Sequence, residues 1–221
     1  MNREWEVWHE KRSRNLAKSW GNPNECAKGK IPRNGRVHWG LIEKATSLAE
    51  GESVLDVGCG LGHLFSLLSD MDYLGIDTSE PMIRRAREYF PADRDRFQIG
   101  DAYDLSSLPE FDTVVAVGLI VHLPNPEELL KQLWSKTRIC MIFSAWVGWR
   151  PIVSKTAEGK KTVFERRYTM NQYDEMFSKL DVVGEVEKLP HTYSRGNYFF
   201  KLWRDKSRME YRCNSEDGVK G

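Results

Sequence analysis

From Ser53 onward, short apolar runs alternate with segments of helical periodicity. The runs at 54–57, 73–76, 96–99, 113–117 and 138–143 are rich in β-branched and aromatic residues and are bounded by Gly, Asp or Pro, so each predicts a strand. The connections carry helix signals. Ser79 is placed to cap a helix through Tyr89, with Glu80 and Pro81 in its first turn, and Pro126-Glu127-Glu128 opens another through about Ser135. Strands alternating with helices in this way predict parallel strands joined by crossover helices, an α/β sandwich.

The flanks read differently. Leu41, Ile42, Ala45 and Leu48 recur at helical spacing within 37–49 and predict an amphipathic helix on the sheet. Before it, residues 1–36 mix Trp5, Trp8 and Trp20 with basic side chains and a Gly/Pro/Asn-rich run over 21–35, which predicts a helix followed by a mobile arm. After the fifth strand, turn residues around Gly159 separate two short runs and predict a hairpin within 145–168, a candidate acceptor lid. A helix over 171–180 and closing strands over 182–188 and 197–204 complete a domain spanning 37–204. The polar tail, 205–221, is expected to be disordered.

Composition narrows the class. The 221 residues carry 33 basic and 32 acidic side chains, so no global field draws the chain onto nucleic acid or an anionic membrane. Cys26, Cys59, Cys140 and Cys213 lack metal-ligand or disulfide-framework spacing and read as reduced thiols in a cytoplasm. No stretch reaches spanning length and no apolar leader opens the chain, so a soluble, cytoplasmic protein without a metal centre is expected.

The chemistry centres on Val54-Leu55-Asp56-Val57-Gly58-Cys59-Gly60-Leu61-Gly62, a strand running into alternating glycines and then an expected helix over 63–69. Glycine removes the Cβ that would block a ligand, permits positive φ, and leads into free helix N–H groups. A dinucleotide fingerprint needs its third glycine at position 63, where His63 stands. The spacing instead resembles the first motif of the seven-stranded S-adenosylmethionine-dependent methyltransferases. Tyr73-Leu74-Gly75-Ile76-Asp77, Gln98-Ile99-Gly100-Asp101 and the run from Phe111 through Gly118 to His122-Leu123-Pro124 follow in that family's order. The basic-Pro-Gly-Gly stretch found before the fifth strand in many relatives is absent at 134–138.

The resemblance implies a three-layer α/β sandwich around a mostly parallel seven-stranded Rossmann-like sheet, with S-adenosylmethionine as methyl donor and S-adenosylhomocysteine as product. It places the donor against Asp56, Gly58, Cys59, Gly60, Gly62, Asp77, Thr78, Met82, Asp101, Ala102 and Gly118, with the ribose on Asp77 and the adenine amino group on Asp101. Arg36 is a candidate for the donor's carboxylate, and Trp39 or Trp146 for a cation–π contact with its sulfonium. His122 is the candidate general base. Trp146, Arg150, Arg166 and Tyr168 are expected on the acceptor side, together with Trp149, Arg167, His191, Tyr193 and Arg195. Such an aromatic and basic lid suits a planar or anionic metabolite. A small-molecule acceptor is therefore expected. An RNA or protein acceptor, suggested by the basic N-terminal run, and a non-catalytic donor-binding module remain alternatives.

Overall fold

The computed structural model of the protein describes residues 10–158, 161–180, 182–188 and 197–204. Its first helices are α1 (Glu10–Trp20), α2 (Pro23–Ala27) and α3 (Arg36–Leu48). There follow β1 (Ser53–Val57), α4 (Phe65–Leu68), β2 (Asp72–Asp77), α5 (Glu80–Tyr89), β3 (Phe97–Ile99), β4 (Phe111–Ala116), α6 (Pro126–Ser135) and β5 (Thr137–Trp146). The chain continues through β6 (Ile152–Glu158), β7 (Lys161–Arg167), α7 (Met170–Ser178), β8 (Val183–Lys188) and β9 (Asn197–Trp203). Seven strands form one sheet in the order β3-β2-β1-β4-β5-β9-β8. The first five run parallel, and β9 pairs antiparallel with both β5 and β8.

Alternation along the strands builds the layers. In β5, Cys140 and Ile142 join one core with Trp39, Ala45, Phe65, Ile83 and Ala86 from α3, α4 and α5. Met141, Phe143 and Ala145 join the opposite core with Leu129, Leu130 and Leu133 of α6 and Tyr173 and Met176 of α7. Side chains one residue apart leave opposite faces of a strand, so a sheet buried on both sides needs apolar residues at successive positions. Every residue of β1 is buried accordingly. This is the expected three-layer sandwich. None of the described helices is long and apolar enough to cross a membrane.

Two local expectations are corrected. Residues 21–35 are not an arm without regular structure: the Asn22 side chain caps α2 by accepting from Asn24 N, Pro23 opens that helix, and Asn24 Nδ2 donates to Tyr89 O at 2.8 Å. Glu10 of α1 pairs with Arg84 and Arg85, which fastens the arm to α5. The helix expected over 63–69 shrinks to the single turn of α4, because the chain is still turning through residues 60–64. The tail at 205–221, Trp5, Trp8, the Gly159 turn, His191, Tyr193 and Arg195 lie outside the described residues.

Gly62 shows why the turn is tight. Its φ is +80°, and a Cβ there would meet Phe97 at 2.9 Å and Phe90 at 3.0 Å, both rings of a buried aromatic group with Phe65. Gly62→Ala is expected to lower stability by about 2–4 kcal/mol, from left-handed backbone and overpacking together. Chemical denaturation measures this, and an unchanged midpoint would contradict it.

Candidate functional site

A cavity of about 420 Å³ opens at the carboxyl ends of the parallel strands, where the order reverses between β1 and β4. Open α/β sheets bind ligands at such switch points, because the two loops leaving adjacent strands diverge to opposite faces. Asp56, Gly58, Cys59, Gly60, Asp77, Thr78, Met82, Asp101, Ala102 and Gly118 line it, as do His122 and Trp146.

The glycine turn follows from β1 ending in a buried strand with nowhere to go but over the sheet edge. Gly58 and Gly60 adopt φ of +79° and +55°. A Cβ on Gly60 would meet Trp20 Cζ3 at 3.9 Å, ordinary van der Waals contact, so the Trp20 ring lies over this face of the turn. Asp77, at the end of β2, accepts from Gly60 N at 3.0 Å and from Ser79 N at 2.8 Å. A carboxylate offers about four acceptor positions. Two are left for a diol. Burial pushes Asp77 up to about 6, against the pull of those two amides. Asp56 is buried beneath the turn, accepts from the Tyr73 hydroxyl at 2.6 Å, and is pushed up to about 7 by burial and by neighbouring Asp77. Asp101 holds its own turn by accepting from Tyr103 N at 3.0 Å.

His122 ends a 3₁₀ turn, Ile120–His122, after β4. Its Nδ1 lies 3.0 Å from Phe164 O, and a carbonyl only accepts, so Nδ1 carries the hydrogen and Nε2 the lone pair. Burial lowers the imidazole's proton affinity, and the Phe164 carbonyl and Glu165 partly restore it. The ring is thus neutral and oriented, the state a general base requires.

Several predicted site residues stand elsewhere. Arg36 begins α3 exposed to solvent and does not reach the cavity wall, which receives His38, Leu41 and Ile42 from the same helix. Gly62 serves packing against Phe90 and Phe97. Trp39 is buried in the core with Nε1 on Glu43. Arg150 is exposed and stacks on Trp149. Arg166 is buried under the His122 turn, donating from Nη1 to His122 O at 2.9 Å. Tyr168 packs into the core against Tyr173.

Sequence reasoning missed Trp20, His38, His63, Ser144, Glu165 and Asn197, all in the cavity wall. Trp20 stacks on His38 with centroids 4.0 Å apart, and His63 meets His38 edge-on at 4.8 Å. Burial drives His63 down to about 4 and His38 well below the ordinary imidazole range. These three rings, neutral at pH 7, roof the glycine turn. Residue type gave no warning, since only the path of the arm brings Trp20 to the loop.

With this geometry in view, likeness to known proteins can be weighed. Residues 54–138 match the family described as a methyltransferase domain. The tRNA U34 carboxymethyltransferase of Alteromonas mediterranea is 30% identical over 113 residues, covering 45% of this chain and 33% of that protein. The ubiquinone biosynthesis O-methyltransferase of Coxiella burnetii is 32% identical over 123 residues, covering 52% of this chain and 51% of that protein. The chain therefore spans between a third and a half of these relatives' lengths. Magnesium protoporphyrin IX methyltransferase from Synechocystis, solved with bound S-adenosylhomocysteine, superposes with a TM-score of 0.65 over 90% of this chain and 97% of that one. Its identity is 14%, so that likeness speaks for the fold. Residues 54–138 thus match a methyltransferase domain, and the sheet built around them has the class I, Rossmann-like methyltransferase fold.

Proposed function

We propose that this protein binds S-adenosylmethionine across the ends of β1, β2 and β3 and methylates a small-molecule acceptor held at the ends of β4 and β5. The observation that carries the proposal is the Asp77 carboxylate, tied to Gly60 and Ser79 and turned to the cavity beside the glycine turn. The residues fit the donor by their own chemistry. Asp77 suits a ribose diol, Asp101 an exocyclic amine, and Ile76, Met82 and Ala102 offer apolar surface for a base. The Trp20, His38 and His63 rings cover the turn.

When bound, S-adenosylmethionine supplies a methyl group already activated on a sulfonium, for in-line displacement. The protein's part is then positioning and proton handling in a site shielded from water. His122, neutral and oriented through Nδ1, takes a proton from the acceptor's nucleophile at Nε2. Arg166 holds the backbone of that turn.

A small acceptor is favoured over RNA because the basic N-terminal run is partly neutralised within itself. Lys28 and Lys30 both pair with Glu25, and Arg14 lies 3.8 Å from Glu10. Labelled methyl transfer into a metabolite extract, but not into total RNA or protein, is the expected outcome of incubating the purified protein with donor. Transfer into RNA or protein alone would overturn the acceptor class.

Two further outcomes are expected. Asp77→Ala weakens S-adenosylhomocysteine binding by about 1–3 kcal/mol, the usual cost of losing a charge-assisted acceptor. Because Asp77 is raised to about 6, wild-type affinity declines as pH falls through that value and the carboxylate protonates, while the variant stays flat. Equal calorimetric affinities would remove Asp77 from the ribose role. His122→Ala reduces kcat by about 10²–10⁴-fold with little change in donor affinity. Since the imidazole must be neutral and its proton affinity is depressed, wild-type kcat falls on the acid side, below the ordinary imidazole range, and the variant lacks that limb. The same acid limb in both proteins would exclude His122 as the base.

A further inference from the structure

The cavity wall carries four carboxylates, Asp56, Asp77, Asp101 and Glu165, and among the described residues no Lys or Arg. Three of the four have a place at the donor end. Asp56 lies in β1, Asp77 ends β2, and Asp101 follows β3. Sheet order separates them from the fourth, because β2 and β5 stand three strand spacings apart, about 14 Å at ~4.8 Å per step. Glu165 belongs to the β4–β5 side, next to His122.

Its neighbours in β7 fix it there. Phe164 accepts from His122 Nδ1 at 3.0 Å, and Arg166 donates to His122 O at 2.9 Å. Phe164 and Arg166 share a face of the strand, with the guanidinium 5.3 Å from the ring centroid. Glu165 leaves the other face and reaches the cavity, close enough to His122 to raise its proton affinity. The carboxylate is half-buried and has no hydrogen bond or ion pair among the described residues. Arg12 and Arg166 both act on His122, but neither lines the cavity.

We infer that the acceptor is an amine-bearing small molecule and that Glu165 binds its protonated nitrogen, an inference that rests on the donor-site reading above. An anionic acceptor would meet repulsion from a carboxylate that faces the cavity, whose wall holds no cationic side chain among the described residues. A neutral acceptor would leave the charge unpaired. An ammonium group forms a charge-assisted hydrogen bond with it, and Trp146 supplies an aromatic wall for the apolar part of the molecule. Glu165 is thus a specificity residue, distinct from the base. Among the described residues, Arg150, Arg166 and Arg167, which as residue types suggested an anionic acceptor, do not enter the cavity wall.

The test uses three probes that share one ring and differ in charge: benzylamine, benzyl alcohol and benzoate. Calorimetry first establishes S-adenosylhomocysteine binding to the full chain. Each probe is then titrated into the saturated protein and into Glu165→Gln. The expected result is benzylamine binding at least about tenfold more tightly than benzoate, with that preference lost in Glu165→Gln and S-adenosylhomocysteine affinity unchanged, the scale of one charge-assisted contact. Equal or tighter binding of benzoate, a preference that survives in Glu165→Gln, or no binding of any probe overturns the inference while leaving the donor site intact. Failure of S-adenosylhomocysteine itself to bind would remove the donor reading and the inference with it.

Discussion

The site depends on one half-buried carboxylate that holds two segments of backbone at once. Asp77 accepts from Gly60 in the turn after β1 and from Ser79 at the start of α5, so the loops leaving two adjacent strands are fixed relative to each other. Without that bridge, a turn with positive φ at three glycines would have little to select one conformation. Burial makes the arrangement costly, raising Asp77 and Asp56 together, and the proposed cationic donor would relieve part of that cost. Stability and ligand preference thus share a cause.

The opposite end of the cavity is built by a different device. The hairpin of β6 and β7 docks on the turn after β4 through Phe164 and Arg166, and so orients His122 by its ring and by its backbone. His122 is therefore positioned by the same strand that presents Glu165 to the cavity. The proposed base and the proposed acceptor contact are joined through three consecutive residues, 164 to 166. The arm contributes the third wall, since its attachment to α5 through Glu10 and Asn24 sets Trp20 over the glycine turn.

Much of the first device was legible in the sequence. The apolar runs gave the strands to within a few residues, and the spacing from Gly58 to Asp77 and Asp101 marked strand ends that line the cavity, because strand ends and loop lengths are local properties. The lid was not legible, for a reason of register. Reading Arg150, Arg166 and Tyr168 by residue type ignored which face of a strand each occupies, and one step along β7 exchanges Arg166 for Glu165 at the cavity. Arg36 failed similarly: the helix phase of α3 turns position 36 to solvent and positions 38, 41 and 42 inward. His63 and Trp20 could be paired only through the path of the arm.

In the proposed complex Asp77, held by Gly60 and Ser79, receives the ribose of the methyl donor. A crystal structure of the protein with S-adenosylhomocysteine tests it most directly. The account predicts both ribose hydroxyls within hydrogen-bonding distance of Asp77, with the Gly60 and Ser79 amide bonds retained. Ribose hydroxyls bound away from Asp77, or a ligand seated outside the β1–β4 switch point, would contradict it.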